Sequence, residues 1–141
     1  MPMRWYTTDP ARKHIESGDY MSAFVRVSAD LEQILFEKLF FEKRFTEEQM
    51  KNWTLNKLVK QNLDFGLIDK KDIPLLNEFR ELRNKVIHRR VFLLRVLQNK
   101  EEIEHSKKLL YSVCDFIDRT KITYKGDMEL EKAYGSLDRC K

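Results

Sequence analysis

Between Asp19 and Phe41 the apolar residues Phe24, Val27, Leu31, Ile34, Leu35 and Leu39 fall three and four apart. That spacing lays one continuous stripe along a long α-helix and suits no strand, whose faces alternate every second residue. A helix of this length must bury its stripe against other elements, and the rest of the chain offers helices for the purpose. Four glycines and three prolines in 141 residues leave few breakers, and Leu, Lys, Glu, Phe and Arg recur at helical spacings. The fold class is all-α. A chain of this size can bury a core without disulfide or metal staples, so a single domain over 1–141 is expected, with its core over about 19–120 and a charged C-terminal tail at 121–141.

Capping signals divide the remainder. Asp9 followed by Pro10 has the form of an N-cap with proline in the first turn, and Gly18 stops a short opening helix. Thr46-Glu47-Glu48-Gln49 matches a capping box. Thr54 offers a second start before Leu55, Leu58, Val59 and Leu63, with Gly66 as a stop, so one helix or two short ones belong here. Asp72 with Pro74 opens a helix whose apolar positions Leu75, Phe79, Leu82 and Val86 repeat four, three, four and leave the intervening basic residues to face elsewhere. Asn99 with Glu102 caps a last long helix striped by Ile103, Leu110, Val113, Cys114 and Ile117. About four main helices result, and the tail has room for a short one over 127–134. Phe36, Phe40 and Phe41 widen the first stripe beyond one buried face, which fits either core packing or cover by a partner chain.

Only Cys114 and Cys140 are present, so there is no disulfide framework and no Cys/His metal spacing. Cys114 reads as a small buried hydrophobe and Cys140 as a tail thiol. Charges interrupt every apolar stretch and the opening residues carry no apolar signal core, so a soluble, cytoplasmic protein without membrane contact is expected. His14 and His105 have no partner at a recognisable spacing and read as surface residues. Trp5 and Trp53 can stack on bases, but core or edge packing is the simpler role for both.

No phosphate-cradling glycine loop, serine elbow, metal-ligand spacing or dinucleotide fingerprint occurs, and no cofactor or metal is called for. The formal net charge of +4 identifies no partner, but its distribution is uneven. From Arg80 to Arg95 the chain carries Arg80, Arg83, Lys85, Arg89, Arg90 and Arg95 against Glu81 alone, with His88 among them. A solvated helix face and a phosphate-binding face both fit this window. A histidine beside arginines suits phosphodiester chemistry: imidazole moves a proton near neutral pH, and guanidinium offsets charge building on phosphate oxygens. RNA brings its own nucleophile, the 2′-hydroxyl. On this reading His88 abstracts or donates the proton, Arg83 grips the scissile phosphate and Asn84 orients the imidazole or the sugar. Arg80, Lys85, Arg89 and Arg90 are the candidates for further nucleic-acid contacts, with one or two expected to touch phosphates and the rest to be solvated.

The local alternatives are specific. His88 can cap carbonyls at a helix end, Arg83 can pair with Glu32, Glu78 or another acid, and Asn84 can be a surface residue. Helical geometry puts Asn84 and His88 on one face, with Arg83 about 140° round from His88. Arg83 therefore needs its long side chain, a local unwinding or a partner subunit to join them. Acid–base cleavage is also best served by two proton-transfer groups, and the motif holds one histidine per chain. A two-fold dimer would supply the second.

The run Glu81-Leu82-Arg83-Asn84-Lys85-Val86-Ile87-His88 resembles the HEPN signature: an arginine, commonly a polar residue such as asparagine, then a histidine after four to six intervening residues. The spacing here is four. The order of helices, with the motif near the end of the third main one, is similar to that family's antiparallel helical bundle over about 19–120. The resemblance implies a metal-independent endoribonuclease that dimerises across a two-fold axis and leaves a cyclic phosphate, often as a toxin or in anti-phage defence, with an antitoxin or regulatory protein as a possible partner. It equally admits silent members that dimerise or bind a nucleotide or a partner. Arg83 and His88 match the two catalytic positions and Asn84 the polar one. A subgroup regulated by adenylylation has tyrosine two residues after the histidine; Arg90 occupies that place here, so such regulation is not implied.

Overall fold

A computed structural model describes residues 7–42, 44–88 and 98–122, with side chains to Thr120. Arg89, Arg90, Arg95, Trp5, Cys140 and the helix expected over 127–134 lie outside the described residues. Among those described there are six α-helices and no strand: α1 Asp9–Ser17, α2 Tyr20–Phe41, α3 Glu47–Met50, α4 Leu55–Asp64, α5 Ile73–His88 and α6 Lys100–Ile122, with a 3₁₀ turn at Lys70–Asp72 before α5. None of these helices is long and apolar enough to cross a membrane.

The helix ends follow local chemistry at most positions. Gly18 closes α1 at φ 81°, a left-handed conformation that glycine adopts without a Cβ penalty, and its N–H caps the last turn. Thr46 and Gln49 form the reciprocal capping box. The Thr54 hydroxyl accepts from the Lys57 N–H, so the segment is two helices. Asn99 Oδ1 accepts from the N–H groups of Glu101 and Glu102 and starts α6.

Two caps differ from expectation, and at both a side chain near the helix start is held by a distant partner. Thr8, not Asp9, is the N-cap of α1, and its hydroxyl donates to Asp118 of α6 at 3.0 Å instead of capping its own helix. Ahead of α5 the cap is Asp69, which accepts from the Lys71 N–H. Asp72 is buried and takes a hydrogen bond from Arg119 at 3.3 Å.

All six helices contribute to one apolar core. The α2 stripe is fully inside: Phe24, Val27, Leu31, Ile34, Leu35 and Leu39 are buried, against Leu76, Phe79 and Val86 of α5 and Leu110, Val113, Cys114 and Ile117 of α6. Burial pushes the Cys114 thiol up to about 12, consistent with an inert core residue. Trp53 packs edge-on to Phe45 at 4.7 Å between ring centroids and joins the rim of the core. Phe36 and Phe41 are half-buried and Phe40 is exposed, so the wide side of α2 is only partly covered by this chain.

Long-range contacts fix the helix directions. Phe24 stacks on Phe79, and one turn further along both helices Ser28 meets Arg83, so α2 and α5 run the same way. Asp72 meets Arg119 and Glu78 meets His105, in opposite order along α5 and α6. The second of these pairs, at 2.8 Å, gives His105 a partner that its sequence neighbours do not reveal.

Polar groups at the α1–α2–α6 seam are mutually satisfied. Arg12 donates from Nε to the Thr8 hydroxyl, and from Nη2 to Asp115 at 2.9 Å and Asp118 at 3.0 Å. Asp30 nearby is less well served. Burial raises its carboxyl above the ordinary range, against the opposing pull of Arg26. A carboxyl whose folded pKa is raised binds its proton more tightly in the folded state, so its contribution to stability is greatest at low pH and falls as pH rises through the carboxylate range. Asp30→Asn, which keeps an acceptor for Arg26, is expected to raise the melting temperature at pH 7. That gain should shrink toward zero as pH is lowered through the carboxylate range in a series of thermal melts.

Candidate functional site

The helix α5 is regular through the whole motif, up to His88. Its buried stripe of Leu76, Phe79 and Val86 sets the rotation of everything else on it. Asn84 and His88, one turn apart, are both exposed in the last described turns of the helix. Arg83 flanks the buried stripe, four residues after Phe79 and three before Val86, and its side chain turns toward α2. The basic residues of this helix therefore do not all face solvent: the Arg83 side chain is only 18% exposed.

What Arg83 finds on α2 is small and polar. Its Nη1 donates to Ser28 Oγ at 2.7 Å and to Glu32 Oε1 at 3.2 Å, while Nη2 donates to Asn84 Oδ1 at 3.1 Å. Ser28 and Glu32 are four apart on α2, so both reach across from one face. Of the alternative partners considered from sequence, Glu32 is the one that pairs; Glu78 goes to His105. The Arg83 side chain reaches Asn84 with no unwinding of the helix, and His88 lies one turn beyond Asn84 on the same face.

The guanidinium is not fully used. Nη1 has both its hydrogens engaged and Nη2 one, so one N–H of Nη2 has no acceptor among the described residues. Nε is buried without an acceptor, as is the Nε of half-buried Arg80 one turn earlier. The spare N–H of Nη2 is suited to an anion, since charge-assisted bonds to phosphate oxygens are the strong ones, whereas the two buried Nε groups are out of an anion's reach. Lys85 is exposed on the far side of the helix, and Arg89 and Arg90 lie outside the described residues. Among the described residues no group of three or more His, Cys, Asp or Glu side chains is placed to hold a metal ion.

Ser28 is the member of this cluster that sequence reading misses. Its only signal is to be a small polar residue inside the α2 stripe, one turn after Phe24, where a neighbouring side chain can approach closely. Comparison of the chain with protein-family models, with curated proteins and with solved structures found no match. The site is therefore interpreted from its own geometry.

Proposed function

We propose that the chain is a HEPN-like endoribonuclease that cleaves RNA by acid–base catalysis without a metal, with Arg83 on the scissile phosphate, His88 moving a proton and Asn84 orienting its neighbours. The observation that carries this reading is that the Arg83 guanidinium, with an N–H to spare, is bonded to Asn84, one turn before the exposed His88 on the same helix. Arg80, Lys85, Arg89 and Arg90 are the further basic residues of this stretch of sequence and the candidates for additional phosphate contacts, Lys85 the least favourably placed of those described. The cleft is completed by a second copy in a two-fold dimer. The exposed apolar residues on the same two helices, Val25 and Phe40 of α2 and Ile87 of α5, support such a contact. A cytoplasmic role in toxicity or anti-phage defence, under the control of an antitoxin or another regulatory protein, is the setting the family resemblance suggests.

One observation favours a second reading. Arg83 already has Ser28 and Glu32 as partners, and an arginine held by a carboxylate can be a structural tie in a module that binds a nucleotide or a partner without cleaving anything. The deciding experiment is cleavage of labelled single-stranded RNA in excess EDTA by the wild type, His88→Ala and Arg83→Ala, each checked for folding and dimerisation. Cleavage by the wild type that both substitutions abolish supports the enzyme. No cleavage, or equal cleavage by all three, supports the binding module.

A further inference from the structure

Cleavage of RNA through its own 2′-hydroxyl needs one proton taken from the attacking oxygen and one given to the leaving 5′-oxygen. The motif carries one imidazole per chain. We propose that Glu32 of α2 is the second proton-transfer group, acting in the same chain as Arg83 and His88. This rests on the ribonuclease reading above and deepens it: a dimer then brings two acid–base pairs to the shared cleft, one from each chain.

The geometry orders the groups. Glu32 Oε1 lies 3.2 Å from Arg83 Nη1, and Nη2 of the same guanidinium lies 3.1 Å from Asn84 Oδ1, with His88 one turn further along α5. The carboxylate therefore sits on one nitrogen of the guanidinium, and the other nitrogen is bonded to the residue one turn before the imidazole. An in-line displacement has its attacking and leaving oxygens on opposite sides of phosphorus. In the proposed centre a phosphate held by the spare N–H of Nη2 takes the Glu32 carboxylate on one side and the His88 imidazole on the other.

A purely structural role accounts poorly for this carboxylate. Ser28 already accepts from the same Nη1 at 2.7 Å and Asn84 fixes Nη2, so Arg83 has two other anchors. The Glu32 side chain is 44% exposed, and ion pairs so open to water contribute little to stability. A negative charge there also opposes phosphate binding, a disadvantage that a proton-transfer role offsets. Only Oε1 is drawn into the pair with Arg83.

The step balances with the groups named. The Glu32 carboxylate takes the 2′-hydroxyl proton as the O2′–P bond forms. The protonated His88 imidazole gives its proton to O5′ as the P–O5′ bond breaks. The products are a 2′,3′-cyclic phosphate and a free 5′-hydroxyl, and proton exchange with water resets both side chains.

The test is the pH–rate profile of single-turnover cleavage in excess EDTA for the wild type, Glu32→Gln, Glu32→Asp and His88→Ala, using labelled single-stranded RNA. Glutamine keeps an acceptor oxygen for Arg83 and removes the base. The expected result is a bell for the wild type, a loss of about 100-fold or more for Glu32→Gln with the acidic limb abolished, RNA binding no weaker, and partial recovery in Glu32→Asp. A Glu32→Gln protein that cleaves within about threefold of wild type, or that is slow with an unchanged bell, overturns the assignment while leaving the ribonuclease reading in place. Absence of any wild-type cleavage overturns both. Mixing Glu32→Gln with His88→Ala should restore nothing; restored cleavage would move the pair into different chains.

Discussion

His88→Ala is expected to lower metal-independent RNA cleavage by about 10²–10⁴-fold, the usual contribution of a positioned acid or base. The same substitution should leave the melting temperature unchanged, because His88 is exposed at the last position of α5 and lies outside the core. Arg83→Ala is the informative contrast. It removes three hydrogen bonds at once and strips Ser28 and Glu32 of their donor, so it should reduce both cleavage and stability. Single-turnover rates and thermal melts on the two variants separate the roles. A His88→Ala protein that unfolds several degrees early would place the histidine in the architecture instead.

The largest effect on stability is expected from Phe79→Ala. Phe79 is fully buried and stacks on Phe24 with ring centroids 6.1 Å apart and 19° between planes. Truncation leaves a ring-sized cavity between α2 and α5, at a cost of about 3–5 kcal/mol. Against a total of about 5–15 kcal/mol this is a large fraction, and for a chain of this size it corresponds to a fall in melting temperature on the order of 10–20 °C. The site should respond to gentler changes at the same place. Phe24 and Phe79 each lie one turn before Ser28 and Arg83, so the stack sets the register in which those two residues meet. Phe79→Leu, which keeps an apolar filling, should lose less stability but still slow cleavage. A Phe79→Ala protein with a wild-type melting temperature would contradict the packing described for these helices.

Where a structural decision is made by near neighbours, the sequence carries it legibly. The stripe from Phe24 to Leu39 fixes α2, and Gly18, Thr46, Thr54 and Asn99 mark helix ends through chemistry confined to one turn. Where the decision is made by a remote partner, local reading goes astray. Asp72 before Pro74 looks like a cap, but Arg119 on α6 claims its carboxylate and Asp69 does the capping. Thr8 is drawn to Asp118, 110 residues away. The same holds at the candidate site. Asn84 and His88 share a face because helix periodicity requires it, so that part is readable from spacing. Which way Arg83 turns depends on Ser28, 55 residues earlier, and no pattern within α5 encodes that partner.

The proposed site of Arg83, Asn84 and His88 breaks RNA by internal attack of the 2′-hydroxyl. The most direct measurement is end-group analysis of single-stranded RNA incubated with the protein in excess EDTA. A 2′,3′-cyclic phosphate on one fragment and a 5′-hydroxyl on the other, lost together in His88→Ala, is the predicted result. Intact RNA, or fragments ending in 3′-hydroxyl and 5′-phosphate, would contradict it.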